Sequence, residues 1–267
     1  GEDEFYRDLL RGGQRKLDRG QIGQARADFE ELLAAAEEEA PPDRPSPELV
    51  RGAQLGLLAI ERRSGAFAAV REALAGWSAE HLAEPGAALL LASARRGNGD
   101  YAGALAALTA AAAAHPDDLQ VRFEIAELHH ADGRRAQAKE LWQALADAAR
   151  DGDAAVRTWR ARAMLRLGGR ANLERASQLL VDALASPDAP VMARITLGEL
   201  KYTAYGEAAG FPSGERDLRK VLDDHGDVEA ALLALYRIRS SNMLLDPQKT
   251  EELLDRALAQ NPNCVAG

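Results

Sequence analysis

Apolar positions recur at helical spacing along most of the chain, and one pairing keeps returning: a small residue followed four places later by a large apolar one. It appears as Ala25/Phe29, Val70/Leu74, Ala104/Leu108, Ala138/Trp142 and Ala176/Leu180, with weaker copies at Asp217/Val221 and Thr250/Leu254. Successive copies lie 45, 34, 34, 38, 41 and 33 residues apart. Residues i and i+4 share one helix face, a turn apart. Each pair therefore marks a helix whose small position admits a close partner helix and whose large position fills the space beside it. A unit of this length cannot seal its own apolar face, so repeated copies must stack. The fullest unit runs Gly99-Asp100-Tyr101-Ala102-Gly103-Ala104-Leu105, then Leu108, Ala111 and a helix-stopping Pro116; the closing step from Ala111 to Pro116 recurs from Ala257 to Pro262.

The pattern predicts helical hairpins near 3–40, 47–82, 85–116, 118–150, 153–187, 189–225 and 227–262. Their first helices run near 3–19, 47–63, 85–97, 118–131, 153–167, 189–206 and 227–241. The second helices run near 22–40, 66–82, 101–114, 134–150, 172–186, 214–225 and 247–260. Gly20, Gly65, Gly97/Gly99, Gly133 and Gly168/Gly169 stand in the turns, where helix C-termini favour positive φ. Two segments break the regularity. The Pro-rich 40–47 stretch cannot be helical and predicts a loop between hairpins. Residues 206–214, Gly-Glu-Ala-Ala-Gly-Phe-Pro-Ser-Gly, predict a lengthened turn inside the sixth hairpin.

The unit around Gly99–Pro116 resembles the second half of a tetratricopeptide repeat, with its A-x3-F pattern and terminal Pro, and the resemblance covers nearly the whole chain. It implies an all-α fold, a right-handed α-solenoid of about seven such hairpins, with first helices lining the concave surface. Carrying the register over from Ala104 and Ala138 places Leu89, Ser93 and Arg96 on that surface in the third hairpin, and Phe123, Glu127 and His130 in the fourth. The fifth and sixth hairpins contribute Ala161, Leu165, Ile195, Glu199 and Tyr202, and the seventh Leu235, Arg239 and Asn242. Such a mixture of apolar and charged groups suits an extended peptide or a partner helix. The Lys/Asn arrangement with which some relatives hold a C-terminal carboxylate is missing. Asn261-Pro262-Asn263-Cys264-Val265-Ala266 aligns with His115-Pro116-Asp117-Asp118-Leu119-Gln120, after which another hairpin follows. A further first helix, and hence a longer chain, is expected there. The outer repeats are similar to arrays in large bacterial proteins, some of which end in a metallopeptidase-like domain.

Composition narrows the partners. The net charge is −9, which disfavours sequence-independent nucleic-acid binding. Alanine is abundant and aromatics make up only 5%, as close-packed helices require. No apolar run reaches the roughly 18 residues of a membrane span. The composition predicts a soluble chain, without separating a cytoplasmic from an exported one, and a removed signal segment is compatible with a Gly1 start. The single cysteine, Cys264, permits no internal disulfide.

Catalytic constellations were sought by spacing. His129 and His130 lie beside Glu124, Glu127 and Asp132. Adjacent histidines on a helix point about 100° apart, whereas zinc on a helix wants His at i and i+4, so a polar helix end is the simpler reading. His81, His115 and His225 stand near helix ends, suited to the C-terminal dipole. No phosphate loop and no G-x-S-x-G elbow occurs, and carboxylate pairs such as Glu30/Glu31 read as solvated faces. Arg157, Arg160, Arg162, Arg166, Arg170 and Arg175 concentrate positive charge in the fifth hairpin. They fall on at least two sides, suited to ion pairs or to anchoring an acidic peptide. Met164, Met192, Trp77, Trp142 and Trp159 read as packing. No cofactor or metal is expected. The expectation is a non-catalytic scaffold holding a protein or peptide in the concave groove, with no nucleic acid and no membrane span. The alternative is a structural or regulatory arm of a larger enzyme such as a peptidase.

Overall fold

A computed structural model describes residues 2–38, 43–148, 152–241 and 245–261, with side chains for all of these except 2–3 and 205–211. Among them are fourteen helices and no strand. They pair in chain order: α1 (Glu2–Asp18) with α2 (Ile22–Glu38), α3 (Pro47–Arg63) with α4 (Phe67–Leu74) and the short α5 (Ala79–Leu82), and α6 (Pro85–Gly97) with α7 (Tyr101–Ala114). Next come α8 (Leu119–Ala131) with α9 (Arg135–Ala146), and α10 (Ala154–Leu167) with α11 (Arg170–Leu184). Then α12 (Val191–His225) precedes α13 (Glu229–Ser240) with α14 (Pro247–Gln260). The result is a right-handed solenoid of about seven hairpins.

Local chemistry sets the helix ends. The first four intra-hairpin turns repeat one pattern, a glycine at positive φ with two crossed backbone hydrogen bonds. The Gly20 N–H donates to the Leu17 carbonyl and the Gln21 N–H to Lys16, and the same pair forms at Gly65/Ala66, Gly99/Asp100 and Gly133/Arg134. This arrangement satisfies helix-terminal carbonyls that would otherwise be orphaned. Gly97 is not a turn residue: it ends α6 and is buried against the ring of Phe67. At N-termini, the Asp100, Asp118 and Asp153 carboxylates each accept a backbone N–H three residues on, at 2.8–2.9 Å. Pro47, Pro85 and Pro247 open their helices, where a missing N–H costs nothing.

The recurring pair does what its spacing predicts in the first five hairpins: Ala25/Phe29, Val70/Leu74, Ala104/Leu108, Ala138/Trp142 and Ala176/Leu180 are all buried. Phe29 shows the geometry. Its ring lies against the bare backbone of both α1 and α3, so closely that a Cβ on Gly56 would stand 2.4 Å, and one on Gly13 2.6 Å, from ring carbons. The large residue thus fills the space between one hairpin and the next.

Two elements differ from the pattern's expectation. The second helix predicted over 66–82 is cut in two, because Gly76 interrupts it and Ser78 starts α5 by accepting the His81 N–H. In the sixth hairpin α12 remains helical through the predicted 206–214 turn yet doubles back on itself. Arg194 stands 3.3 Å from Asp224 and Lys201 2.5 Å from Asp217; in a straight helix they would be about 45 and 24 Å apart. The paired arms pack through Gly214, whose missing side chain leaves its backbone against the Gly198 carbonyl. Here the small–large pair is Gly214/Leu218, three residues before Asp217/Val221, and Asp217 makes the ion pair with Lys201 instead. Of the Pro-rich 40–47 stretch, residues 40–42 lie outside the described residues, as do Asn242, Cys264 and the closing Pro262–Ala266.

Six buried apolar clusters follow one another along the solenoid, each joining a hairpin to its neighbour. The chain also comes round to meet itself. The turn at Gly20 touches the end of α12, and the turn at Gly65 touches the end of α14. Arg63 donates to the carbonyls of Leu17, His225 and Asp227 at 3.0–3.2 Å. The His225 Nδ1 meets the Asp18 carbonyl, and Arg62 reaches Glu229. No apolar cluster bridges this seam among the described residues.

Candidate functional site

First helices face inward, and the seam closes the concave side into a chamber of about 530 Å³. Residues of α3, α6, α8, α10, α12 and α13 line it, with Tyr101 and Leu108 of the second helix α7. Five arginines and four glutamates dominate the wall. On one side Arg166 grips Glu127 with two hydrogen bonds, at 3.0 and 2.9 Å, and Arg162 donates to Glu199 at 3.0 Å and to the Thr196 hydroxyl at 3.3 Å. Arg162 also covers the Phe123 ring, 5.4 Å from its centre, and that ring rests on Trp159. On the seam side Arg62 donates to the Ser93 hydroxyl at 2.7 Å and to Glu229 at 2.5 Å. Between these two groups stand Arg96 and Glu124, 4.0 Å apart and outside hydrogen-bond range. Arg96 also lies 3.6 Å from Glu229. Half-exposed Arg237 approaches Glu199 at 3.7 Å.

Glu124 and Glu127, three residues apart on α8, titrate in opposite directions. Burial pushes the Glu124 carboxyl above its ordinary range; loosely placed Arg96 and, less strongly, Arg162 pull it back only in part, and Glu127 and Glu229 push it further up. Burial also acts to raise Glu127, but the charge and hydrogen bonds of Arg166 outweigh it and hold that carboxyl below the ordinary range. The Arg166 guanidinium is correspondingly held above its usual value against the opposing effect of burial.

Of the residues expected on the concave face, Ser93, Arg96, Phe123, Glu127, His130 and Glu199 come together around the chamber. Phe123 is 1% exposed and forms wall rather than contact surface, while exposed His130 stands at the rim beside Trp142. Leu165, Tyr202 and Arg239 do not line the chamber. Leu165 packs into the cluster around Met164 and Leu180. Tyr202 packs against the sixth–seventh core and bonds the Ser241 hydroxyl. Arg239 is buried in an ion pair with Glu215 on the returning arm of α12, at 2.5 Å. The sequence register did not single out Arg62, Glu229 or Arg237. Arg162 and Arg166 belonged to its arginine cluster, and their i, i+4 spacing puts both on one face. Among the described residues no three His, Cys, Asp or Glu side chains converge to hold a metal. No described helix is long and apolar enough to cross a membrane.

Stacked antiparallel helical hairpins with an inward first helix define the class: an all-α repeat solenoid. Residues 95–165 match the family model described as tetratricopeptide repeat. That segment is similar to a tetratricopeptide repeat, and the same hairpin architecture continues on both sides of it. Among solved structures it is similar to a tetratricopeptide repeat protein from Parabacteroides merdae ATCC 43184, at 15% identity over 97% of this chain and 100% of that one, with a TM-score of 0.42. It is also similar to the human IFIT1 dimer with PPP-AAAA, at 17% identity over 94% of this chain and 61% of that one, TM-score 0.51. For the same human protein with m7Gppp-AAAA the values are 17%, 92%, 57% and 0.50. The chain thus spans about three fifths of the IFIT1 chain, and at this identity the likeness is one of fold. No curated protein matches the sequence.

Proposed function

We propose that the chain is a non-catalytic interaction scaffold that takes a short segment of a partner protein, a loop or a chain end, into its concave chamber. Helical-repeat arrays of this type serve as protein-interaction scaffolds, and the fold supports that coarser reading directly. The observation that carries the finer one is the loose placement of Arg96 and Glu124 in an otherwise well-paired chamber wall. Two opposite charges 4.0 Å apart without a hydrogen bond leave donor and acceptor capacity for a guest with complementary groups. The chamber volume falls in the range of ligand sites, roughly 300–1,000 Å³, which suits a few residues rather than a long helix.

Peptides selected from a random display library against the purified chain test this reading. Their affinity is expected to fall at least tenfold on Arg237→Ala or Gln120→Ala, both chamber-lining positions away from the apolar clusters. Affinities unmoved by both variants, with helicity intact, overturn it. A 5′-triphosphorylated oligoribonucleotide of the kind held by IFIT1 is the control guest. Each of the five wall arginines already faces a glutamate within 4.0 Å and the chain carries a net charge of −9, so weak binding is expected, and tight binding would replace the protein segment with nucleic acid.

A further inference from the structure

Glu229 occupies an unusual place. It belongs to the first turn of α13, but its carboxylate lies between Arg62 and Arg96, more than 130 residues away in sequence, and is 8% exposed. Arg62 Nη2 donates to Oε2 at 2.5 Å, Arg96 Nη2 lies 3.6 Å from Oε1, and Asn261 Nδ2 donates to Oε1 at 3.1 Å. Arg62 is oriented by its second hydrogen bond, from Nε to Ser93 Oγ at 2.7 Å. Two guanidiniums on adjacent hairpins, one steered by a hydroxyl, make a carboxylate clamp of the kind arginine forms well. The Glu124 carboxyl also lies near enough to feel the Glu229 charge.

The clamp and its occupant are joined across the seam, and the seam is polar. Every other hairpin junction holds a buried apolar cluster; this one is made of hydrogen bonds and ion pairs. Such contacts contribute far less net stability than the apolar area buried elsewhere. Opening the seam breaks no buried apolar cluster among the described residues, and a guest carboxylate entering as Glu229 leaves keeps both guanidiniums paired.

We infer that Arg62, Ser93 and Arg96 form a carboxylate-binding clamp which the chain fills with its own Glu229, and that a carboxylate of the guest takes this place when the seam opens. The inference rests on the chamber reading above and names the chemistry of its guest: an acidic side chain or a C-terminal carboxylate.

Isothermal titration calorimetry with two probes separates these sources. One is hexaglutamate with an amidated C-terminus, the other hexaserine with a free one. Glu229→Ala, which vacates the clamp, is expected to tighten the binding of whichever probe matches by at least tenfold, and Arg96→Ala in the same background to abolish the gain. Glu229→Gln, which keeps shape and hydrogen bonding, should give a smaller gain in the same direction and guards against a misfolded alanine variant. Glu124→Gln replaces the neighbouring chamber carboxyl without emptying the clamp. A gain there as large as for Glu229→Ala would reduce the effect to general electrostatics and overturn the clamp, as would unchanged affinity in folded Glu229→Ala. If library peptides still depend on Arg237 and Gln120 while the clamp fails, the chamber reading survives alone. If neither probes nor peptides enter the chamber, both fall.

Discussion

The junction between the first and second hairpins and the seam where these two meet the sixth and seventh bring helices together by opposite means. At the junction, Phe29 is fully buried with its ring against the backbones of Gly13 and Gly56, and Leu32, Leu49 and Ala53 complete the cluster. At the seam, guanidiniums reach backbone carbonyls and a carboxylate, and the closest approaches are of polar atoms. Neighbours in the array are held by shape and apolar area, while its ends meet through charge and directed hydrogen bonds. The first kind of contact tolerates almost no change in volume; the second responds to salt.

The largest effect tests the apolar side. Phe29→Ala leaves a cavity bounded by two glycine backbones that cannot fill it, and should cost about 3–5 kcal/mol in chemical denaturation. A loss under about 1 kcal/mol would mean that α1 and α3 collapse onto the gap and that the junction is not rigid. Gly56→Ala makes the opposite error. Its Cβ would stand 2.4 Å from the Phe29 ring, so helix or ring must shift, and about 1–3 kcal/mol should be lost. Because both variants act on one ring, Phe29→Ala should relieve the Gly56→Ala penalty. A double mutant showing simple additivity would break that link.

At the seam the expected loss is smaller and the readout different. Arg63 bonds three carbonyls from two places in the chain, Leu17 and the turn that holds His225 and Asp227. Burial and adjacent Arg62 draw its pKa down, while Asp18 and Asp227 hold it up. Arg63→Ala should cost about 1–2 kcal/mol, since water takes up most of the released carbonyls. The sharper measurement is a distance. Spin labels at the exposed positions Arg19 and Asp223, placed in a Cys264→Ser background, should move apart in Arg63→Ala, and in the native chain as ionic strength rises toward about 1 M. Labels at the exposed positions Glu37 and Gln54, reporting on the Phe29 junction, should not respond to salt. A seam distance equally indifferent to both changes would erase the contrast.

How much of this was legible in the residues follows the same division. The apolar junctions were, because the small–large pair carries its own mechanism and recurs near the period of the repeat from Ala25 to Leu180. It failed in the sixth hairpin. There the small partner is Gly214, inside a Gly- and Pro-bearing stretch that reads as loop, and the backbone stays helical where propensity argues against it. The chamber was legible in part. A register carried from Ala104 and Ala138 found Ser93, Arg96, Glu127 and Glu199, but missed at Tyr202 just before the α12 bend and at Arg239 beyond it, which serve packing and the Glu215 ion pair. Arg62 meeting Glu229 was out of reach. That contact depends on the small rotation between hairpins summed over most of the solenoid, which no local spacing encodes.

The smallest expected effect separates stability from availability within the chamber itself. Glu127 is held below its ordinary value near 4.5, so its stabilisation is present above that pH and lost as pH falls through the lower folded-state value. Glu124 is raised, so its contribution has the opposite sign: favourable below about pH 4.5 and lost as pH rises through the higher folded-state value. Glu127→Gln should therefore cost about 1 kcal/mol at pH 7 by weakening the bidentate pair with Arg166, and little at low pH. Glu124→Gln should be neutral at low pH and stabilise by a few tenths of a kcal/mol at pH 7, because it removes a carboxyl whose ionisation burial opposes and Arg96 only loosely supports. Urea denaturation of both variants at pH 4 and pH 7 measures the difference. A chamber tuned for stability alone would give a loss for both at neutral pH. A gain from Glu124→Gln instead marks a carboxyl whose ionisation the fold resists, as expected of a group held ready for a guest rather than for its neighbours.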